Sequence, residues 1–167
     1  MKPQDIAILL KVMLLEGSVW TFRQVAADLA ISLSEVSQGL RRLEKAKLYN
    51  PNTRKILRRS TLELINYAVK YVFPAEVGAV KKGIPTAHAV GSMKDEFAFD
   101  PSEIYVWPDP NGQRRGHALT PLYPNAVDAA QRDPQLHELL AAIDVIRIGR
   151  AREVKRAKAF LSEKIAV

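Results

Sequence analysis

Two helix-start signals lie close together near the N-terminus and limit what this part of the chain can form. Thr21 is followed three residues later by Gln24. Ser32 is followed at the same spacing by Glu35. In such a capping box the hydroxyl accepts a hydrogen bond from the backbone N–H of the third helical residue, so it marks where a helix begins. The sequence therefore predicts two short helices joined by a tight turn.

The apolar residues of the same stretch support this interpretation. Val25 and Leu29 form an apolar ridge on the first helix, and Ile31 lies in the turn. The second helix has its own apolar face, which consists of Val36, Leu40 and Leu43. Contacts between two such faces hold short helices at a fixed angle.

The opposite face of the second helix is polar and basic. Short polar side chains lie at its N-terminal end and basic side chains follow, at helical spacing. This order is typical of a helix whose first turns enter the major groove of DNA. Gln38 can pair with adenine, and Arg41 with guanine or a phosphate. The candidate residues on this helix are Ser34, Ser37, Gln38, Arg41, Arg42 and Lys45.

The chain that follows is strongly basic. From Arg41 to Arg59 there are eight basic residues and one acidic residue, Glu44. The protein as a whole has a formal net charge of +7, and a positive surface of this kind favours polyanions such as nucleic acids. A merely solvated surface is the alternative interpretation of the basic run.

Residues 21–48 resemble the helix-turn-helix of MarR-like and related winged-helix transcription regulators, and the resemblance covers roughly residues 1–72. It implies that a hairpin, the wing, follows the second helix and contacts the DNA backbone. The residues that would then contact phosphates are Arg54, Lys55, Arg58 and Arg59. Ala30 departs from the family pattern, since glycine is commonest at that turn position. The wing is short and contains Pro51, so a loop is the alternative to a two-stranded hairpin there. The stretch around Lys81 and Lys82 is a rival wing.

Two further helices are predicted in the same region. The first runs from about Pro3 to Glu16 and is apolar on more than one face, which indicates burial on two sides. The core of the domain and a dimer partner would supply those two sides. A third capping box, Ser60 with Glu63, predicts a helix that begins there and ends near Val72.

Residues 73–125 contain seven of the ten prolines and five of the eight glycines, which indicates short strands and loops. The apolar runs 104–107 and 116–119 lie on either side of Asn111 and Gly112, a pattern typical of a hairpin. In residues 126–167 we expect a helix capped by Asp133 that Gly149 breaks or weakens. An apolar stripe after Gly149, formed by Val154, Ala157, Leu161 and Ile165, is a second candidate dimer surface.

Several kinds of site are not indicated. The chain has no cysteine, which excludes disulfides and thiolate metal ligands. The three histidines, His88, His117 and His137, lack metal-ligand spacing. The acidic residues Asp95, Glu96 and Asp100 are expected to form a solvated loop. We expect no membrane span, no cofactor, no metal and no enzymatic activity, and a cytoplasmic location.

The predicted fold is α+β and mostly helical. It has a winged helix-turn-helix DNA-binding domain at 1–72, an irregular β-containing region at 73–125 and a C-terminal helical region at 126–167. The predicted function is sequence-specific binding of double-stranded DNA by a homodimer, as a transcriptional repressor. The alternative is an antitoxin-like or adaptor protein that binds a partner protein through residues 73–167.

Overall fold

A computed structural model describes residues 1–91, 94 and 104–166. The fold is α+β and mostly helical, as predicted. The acidic residues Asp95, Glu96 and Asp100 lie outside the described residues. The helices are α1 (Pro3–Leu14), α2 (Phe22–Leu29), α3 (Leu33–Lys45), α4 (Arg58–Tyr67), α5 (Val69–Val72), α6 (Ala126–Arg132), α7 (Pro134–Ile148) and α8 (Ala151–Ala166). The strands are β1 (Tyr49–Asn50), β2 (Lys55–Ile56), β3 (Val77–Thr86), β4 (Tyr105–Pro108) and β5 (Arg114–Leu119).

Helix α1 lies at the centre of the fold. The side chains from Ile6 to Leu10 are completely buried, because α2, α3, β2 and α7 all pack against this helix. The expectation that a dimer partner covers its second apolar face is wrong, since α7 of the same chain covers it. One hydrophobic core therefore includes residues from both ends of the sequence.

Two charged residues of α1 are buried with partners on other helices. The Asp5 carboxylate accepts hydrogen bonds from Nε and one terminal nitrogen of Arg42 on α3, at 2.8 and 2.7 Å. The Lys11 ammonium lies 2.9 Å from Asp28 and 2.8 Å from Asp133. Burial lowers the pKa of Lys11, but the hydrogen bonds to these two carboxylates outweigh it and raise the pKa above its usual value.

Three of the predicted helix boundaries are confirmed and one is wrong. Thr21, Ser32 and Asp133 each accept a backbone N–H at the start of the helix that follows. Ser60, in contrast, lies inside α4, which begins at Arg58. The N–H of Leu57 pairs with the carbonyl of Leu48 beside the β1–β2 hairpin, so α4 starts directly after that pairing.

The three longer strands, β3, β4 and β5, form a small closed barrel. Strand β3 pairs antiparallel with both β4 and β5, and β4 pairs with β5 in parallel. The predicted hairpin of these two strands is therefore wrong, since a hairpin requires antiparallel strands. The loop between β4 and β5 crosses β3 instead. At the crossing, Gly112 lies so close to Gly83 that a Cβ on Gly112 would be 2.4 Å from the backbone of Gly83.

A buried polar cluster anchors this β region to α7. The Asp144 carboxylate accepts hydrogen bonds from Thr86 Oγ1, Trp107 Nε1 and a terminal nitrogen of Arg147, each at 2.7 Å. The same guanidinium group donates to the carbonyl oxygens of Phe73, Pro74 and Thr120. Because buried polar groups are costly without partners, this nearly complete pairing specifies how the strands dock on α7.

The C-terminal helices form a pair. The sequence left open whether Gly149 breaks or only weakens the helix. In the structure α7 ends at Gly149 and α8 follows it. Ala157, Leu161 and Ile165 are fully buried where α8 packs on α7 and α4. The expectation that this stripe forms a dimer surface is therefore wrong. Within the described residues, none of the helices has the length and apolar character needed to cross a membrane.

We predict that His137 makes folding stability depend on pH near neutrality. Its ring packs on Trp107 with centroids 5.3 Å apart, and Nε2 donates to the carbonyl of Pro85 at 2.9 Å. Burial lowers the pKa of His137 below its usual value. The unfolded state then binds more protons just below pH 6.5, so stability should fall as the pH decreases through that value.

Urea unfolding between pH 7.5 and 5.5 checks this expectation, since Gln in place of His137 keeps an N–H donor but does not titrate. His137→Gln should have a flatter stability profile than the wild type, and His117→Gln on β5 is the matched control. An unchanged profile in His137→Gln would contradict the role assigned to burial of this ring.

Candidate nucleic-acid interface

The turn between α2 and α3 is tight and closes with a left-handed residue. Ala30 has φ of 52° and ψ of 40°, and the N–H of Ile31 donates to the carbonyl of Ala26 at 3.0 Å. A residue with a Cβ is disfavoured there, which explains why glycine is commoner at such positions. The resulting turn sets the angle between α2 and α3.

Helix α3 is held against α1 by a close contact and an ion pair. Gly39 lies where the two helices cross, and a Cβ there would be 2.5 Å from Cδ1 of Ile8. Arg42 extends from the same side of α3 to the buried carboxylate of Asp5. With this side held to α1, the rotation of α3 about its own axis is set and its opposite face points outward.

That outward face contains five of the six residues of α3 that were predicted to contact DNA. Ser34, Gln38, Arg41 and Lys45 are exposed, and Ser37 is half-buried. Nε2 of Gln38 donates to Oγ of Ser34 at 3.0 Å, which links the first two turns of the helix. The structure therefore brings the polar and basic residues of α3 together on one accessible surface.

A short hairpin follows α3, where the resemblance implied a wing. Tyr49 pairs with Ile56, and Asn50 pairs with Lys55. At its tip the side-chain oxygen of Asn50 accepts the backbone N–H groups of Asn52 and Thr53, at 3.0 and 3.3 Å. This hairpin, which we call the wing (residues 49–56), presents Lys55 to solvent.

The wing is attached to the start of α2 through Trp20. The Arg54 guanidinium lies 4.1 Å from the ring centroid of Trp20 and donates to its carbonyl oxygen at 2.7 Å. Such a cation–π contact is worth about 0.5–1 kcal/mol at a partly exposed site. Trp20 was not among the predicted site residues. It lies just before the helix cap, where an apolar side chain commonly packs on the first turn of the helix.

A groove separates the wing from α3. Its volume is about 550 Å³, and Arg41 of α3 and Arg54 of the wing lie on its walls. One carboxylate, that of Glu44, also lines it. Burial raises the pKa of the Tyr49 hydroxyl further above neutrality, so this side chain adds no charge to the groove. The full lining is Trp20, Thr21, Phe22, Ser37, Leu40, Arg41, Glu44, Tyr49, Pro51 and Arg54.

Two of the predicted contact residues form ion pairs with largely buried carboxylates instead. Arg42 pairs with Asp5, as described above. Arg58 donates to Glu16 and to the carbonyl of Ile165, both at 2.6 Å, so it joins the end of α1 to the end of α8. We therefore assign Arg42 and Arg58 to the packing of the fold, because their hydrogen bonds are already made within the chain.

Arg59 remains at the surface. Its side chain is 93% exposed and lies 3.2 Å from Glu63 one helical turn later. An ion pair that is this exposed contributes little to stability, so the guanidinium can exchange partners at low cost. Arg59 thus stays in the set of candidate phosphate contacts.

Comparison with protein-family models, curated proteins and solved structures found no match to this chain. Among the described residues, no group of His, Asp or Glu side chains lies close enough together to hold a metal ion. The function of the protein is therefore inferred from the geometry of α3, the wing and the charges around them.

We predict stability effects of very different size for two neighbouring arginines of α3. Arg42→Ala leaves the carboxylate of Asp5 buried without its charged partner, which should cost about 3–5 kcal/mol. Arg41→Ala removes an exposed side chain and should change stability by less than about 0.5 kcal/mol. Urea denaturation of both variants checks the difference, and equal effects would contradict the assigned orientation of α3.

We also predict that Ala30→Gly stabilises the protein. Glycine relieves the left-handed strain of roughly 1–2 kcal/mol. It also increases the conformational entropy of the unfolded state, which costs about 0.5–1 kcal/mol of stability. The expected gain is thus of the order of 0.5–1 kcal/mol in urea unfolding. Ala27→Gly, in the interior of α2, is the matched control and should destabilise by a similar amount. A loss of stability in Ala30→Gly would mean that the turn has another backbone conformation.

Proposed function

We propose that the protein binds double-stranded DNA at specific sequences and acts as a transcriptional repressor. One observation supports this proposal above the others: the polar and basic face of α3 is accessible, and a two-stranded wing lies beside it. An α-helix of this kind fits the major groove, while a wing at its side can reach the adjacent backbone.

In this proposal the first turns of α3 read base edges. Gln38 pairs with adenine through its amide, and Arg41 pairs with guanine through two parallel hydrogen bonds. Gln38 then exchanges its hydrogen bond to Ser34 for one to the base, which costs little because both groups are exposed. Ser34 and Ser37 donate to phosphate oxygens or base edges near the helix N-terminus, where the helix dipole also favours anions.

The phosphate contacts come from exposed basic side chains of α3, the wing and α4. Lys45, Lys55 and Arg59 are exposed, and the first two have no ion pair with a described acidic residue. Each phosphate that such a cation neutralises releases counterions, so binding weakens as salt is added. Arg54 would contribute from the wing while it remains stacked on Trp20.

A homodimer would serve such a function, since two half-sites multiply the specificity of one short helix. The surfaces that the sequence suggested for it, α1 and the stripe of α8, are buried within the chain. In this proposal a dimer therefore forms through another surface. Bound to a promoter, the protein would repress by excluding polymerase.

Selection of bound duplexes from a random DNA pool tests the proposal. A consensus site should emerge, and Arg41→Ala should weaken binding to it by about 1–3 kcal/mol and relax the preference at one base pair. Arg152→Ala removes an exposed arginine from α8 and is the matched control, with no expected loss.

Selection of no consensus, or equal binding by Arg41→Ala and the wild type, would count against DNA reading by α3. Recovery of a stoichiometric protein that binds residues 73–167 in place of DNA would favour the adaptor function instead.

A further inference from the structure

A second cluster of basic residues lies on the paired strands β3 and β5, outside the interface formed by α3 and the wing. Lys81 and Lys82 are in β3, and Arg114 and Arg115 are in β5. All four residues are exposed. We call this two-stranded segment, residues 80–83 paired with 114–117, the basic ribbon.

The register of the ribbon decides which of these cations are neighbours. Lys82 is directly opposite Arg115 in the antiparallel pair, so both side chains are on the same face. Lys81 is opposite Gly116, and Arg114 is opposite Gly83. Lys81 and Arg114 are thus diagonal neighbours on the other face. Each face of the ribbon therefore has two positive charges.

This arrangement lowers the stability of the strand pair. Like charges directly across two antiparallel strands repel each other. Among the described residues, no acidic side chain forms an ion pair with the four cations. Asp109 follows β4 beside Lys82, but its carboxylate accepts from the backbone of Asn111 and lies near Gln131. Within the part of the chain that the structure describes, these four charges therefore have no anionic partner.

We propose that the basic ribbon binds the phosphate backbone of duplex DNA, as a contact surface additional to α3 and the wing. The major groove admits a two-stranded ribbon and has phosphates along both of its edges. Cations on both faces of a ribbon match two anionic edges, whereas a flat anionic membrane would meet only one face. The proposal shares its ligand with the proposed function, but it rests on different residues.

The substitution Lys82→Glu tests the proposal, because stability and binding should change in opposite directions. Glu at this position would face Arg115 and replace a repulsive pair with an attractive one, so the urea midpoint should rise. The same change removes the cation of Lys82, and the new Glu forms an ion pair with Arg115, so about two phosphate contacts are lost. The slope of log affinity for duplex DNA against log salt should then be smaller in magnitude by roughly 1.8.

Lys155→Glu is the matched control. It makes the same change in net charge at an exposed position of α8, a helix that packs on α4 and α7. Its salt slope should remain close to that of the wild type. Equal slopes for Lys82→Glu and Lys155→Glu would overturn the proposal.

Two comparisons separate this inference from the proposed function. If Arg41→Ala weakens binding while Lys82→Glu keeps the wild-type slope, the ribbon proposal fails and DNA reading by α3 stands. If Lys82→Glu reduces the slope while Arg41→Ala has no effect on binding, the ribbon proposal is supported and the proposal that α3 reads DNA fails. Loss of binding to phosphatidylserine vesicles in Lys82→Glu, with DNA binding unchanged, would overturn DNA as the ligand.

Discussion

Burial of α1 on every side is the constraint on which the rest of the structure depends. A helix with charged residues can be buried only if each charge has a partner, and here the partners come from other helices. Asp5 pairs with Arg42 of α3, while Lys11 pairs with Asp28 of α2 and with Asp133 at the start of α7. These ion pairs specify how α2, α3 and α7 are arranged around α1, and hence which face of α3 reaches solvent.

A second buried charge pair does the same for the β region. Asp144 and Arg147 on α7 form hydrogen bonds with Thr86 of β3, with Trp107 of β4 and with the carbonyl groups that precede β3 and follow β5. The strands are thereby tied to α7, which also packs on α1. Through these two helices, α3 and the basic ribbon belong to one packed body.

The two proposed contact surfaces differ in what they can recognise. Along the outward face of α3, polar hydrogen-bonding groups at the N-terminal end are followed by cations, which suits the reading of base edges. The ribbon presents charge without comparable polar groups, which suits phosphates of any sequence. Both surfaces have cations without an ion pair to a described acidic residue. Arg42, Arg58 and Arg147, in contrast, form ion pairs with carboxylates inside the fold.

Local signals in the sequence determined where α2, α3 and α7 begin and where α7 ends. The caps at Thr21, Ser32 and Asp133 and the break at Gly149 involve residues within one helical turn, so they can be recognised without knowledge of the rest of the chain. The polar face of α3 was predictable for the same reason. Tertiary structure alone decided that β4 and β5 are parallel, that Arg42 and Arg58 turn inward, and that α7 covers α1. Each of these three features depends on contacts between residues that are far apart in the sequence. The pattern of residues around one position does not reveal such contacts.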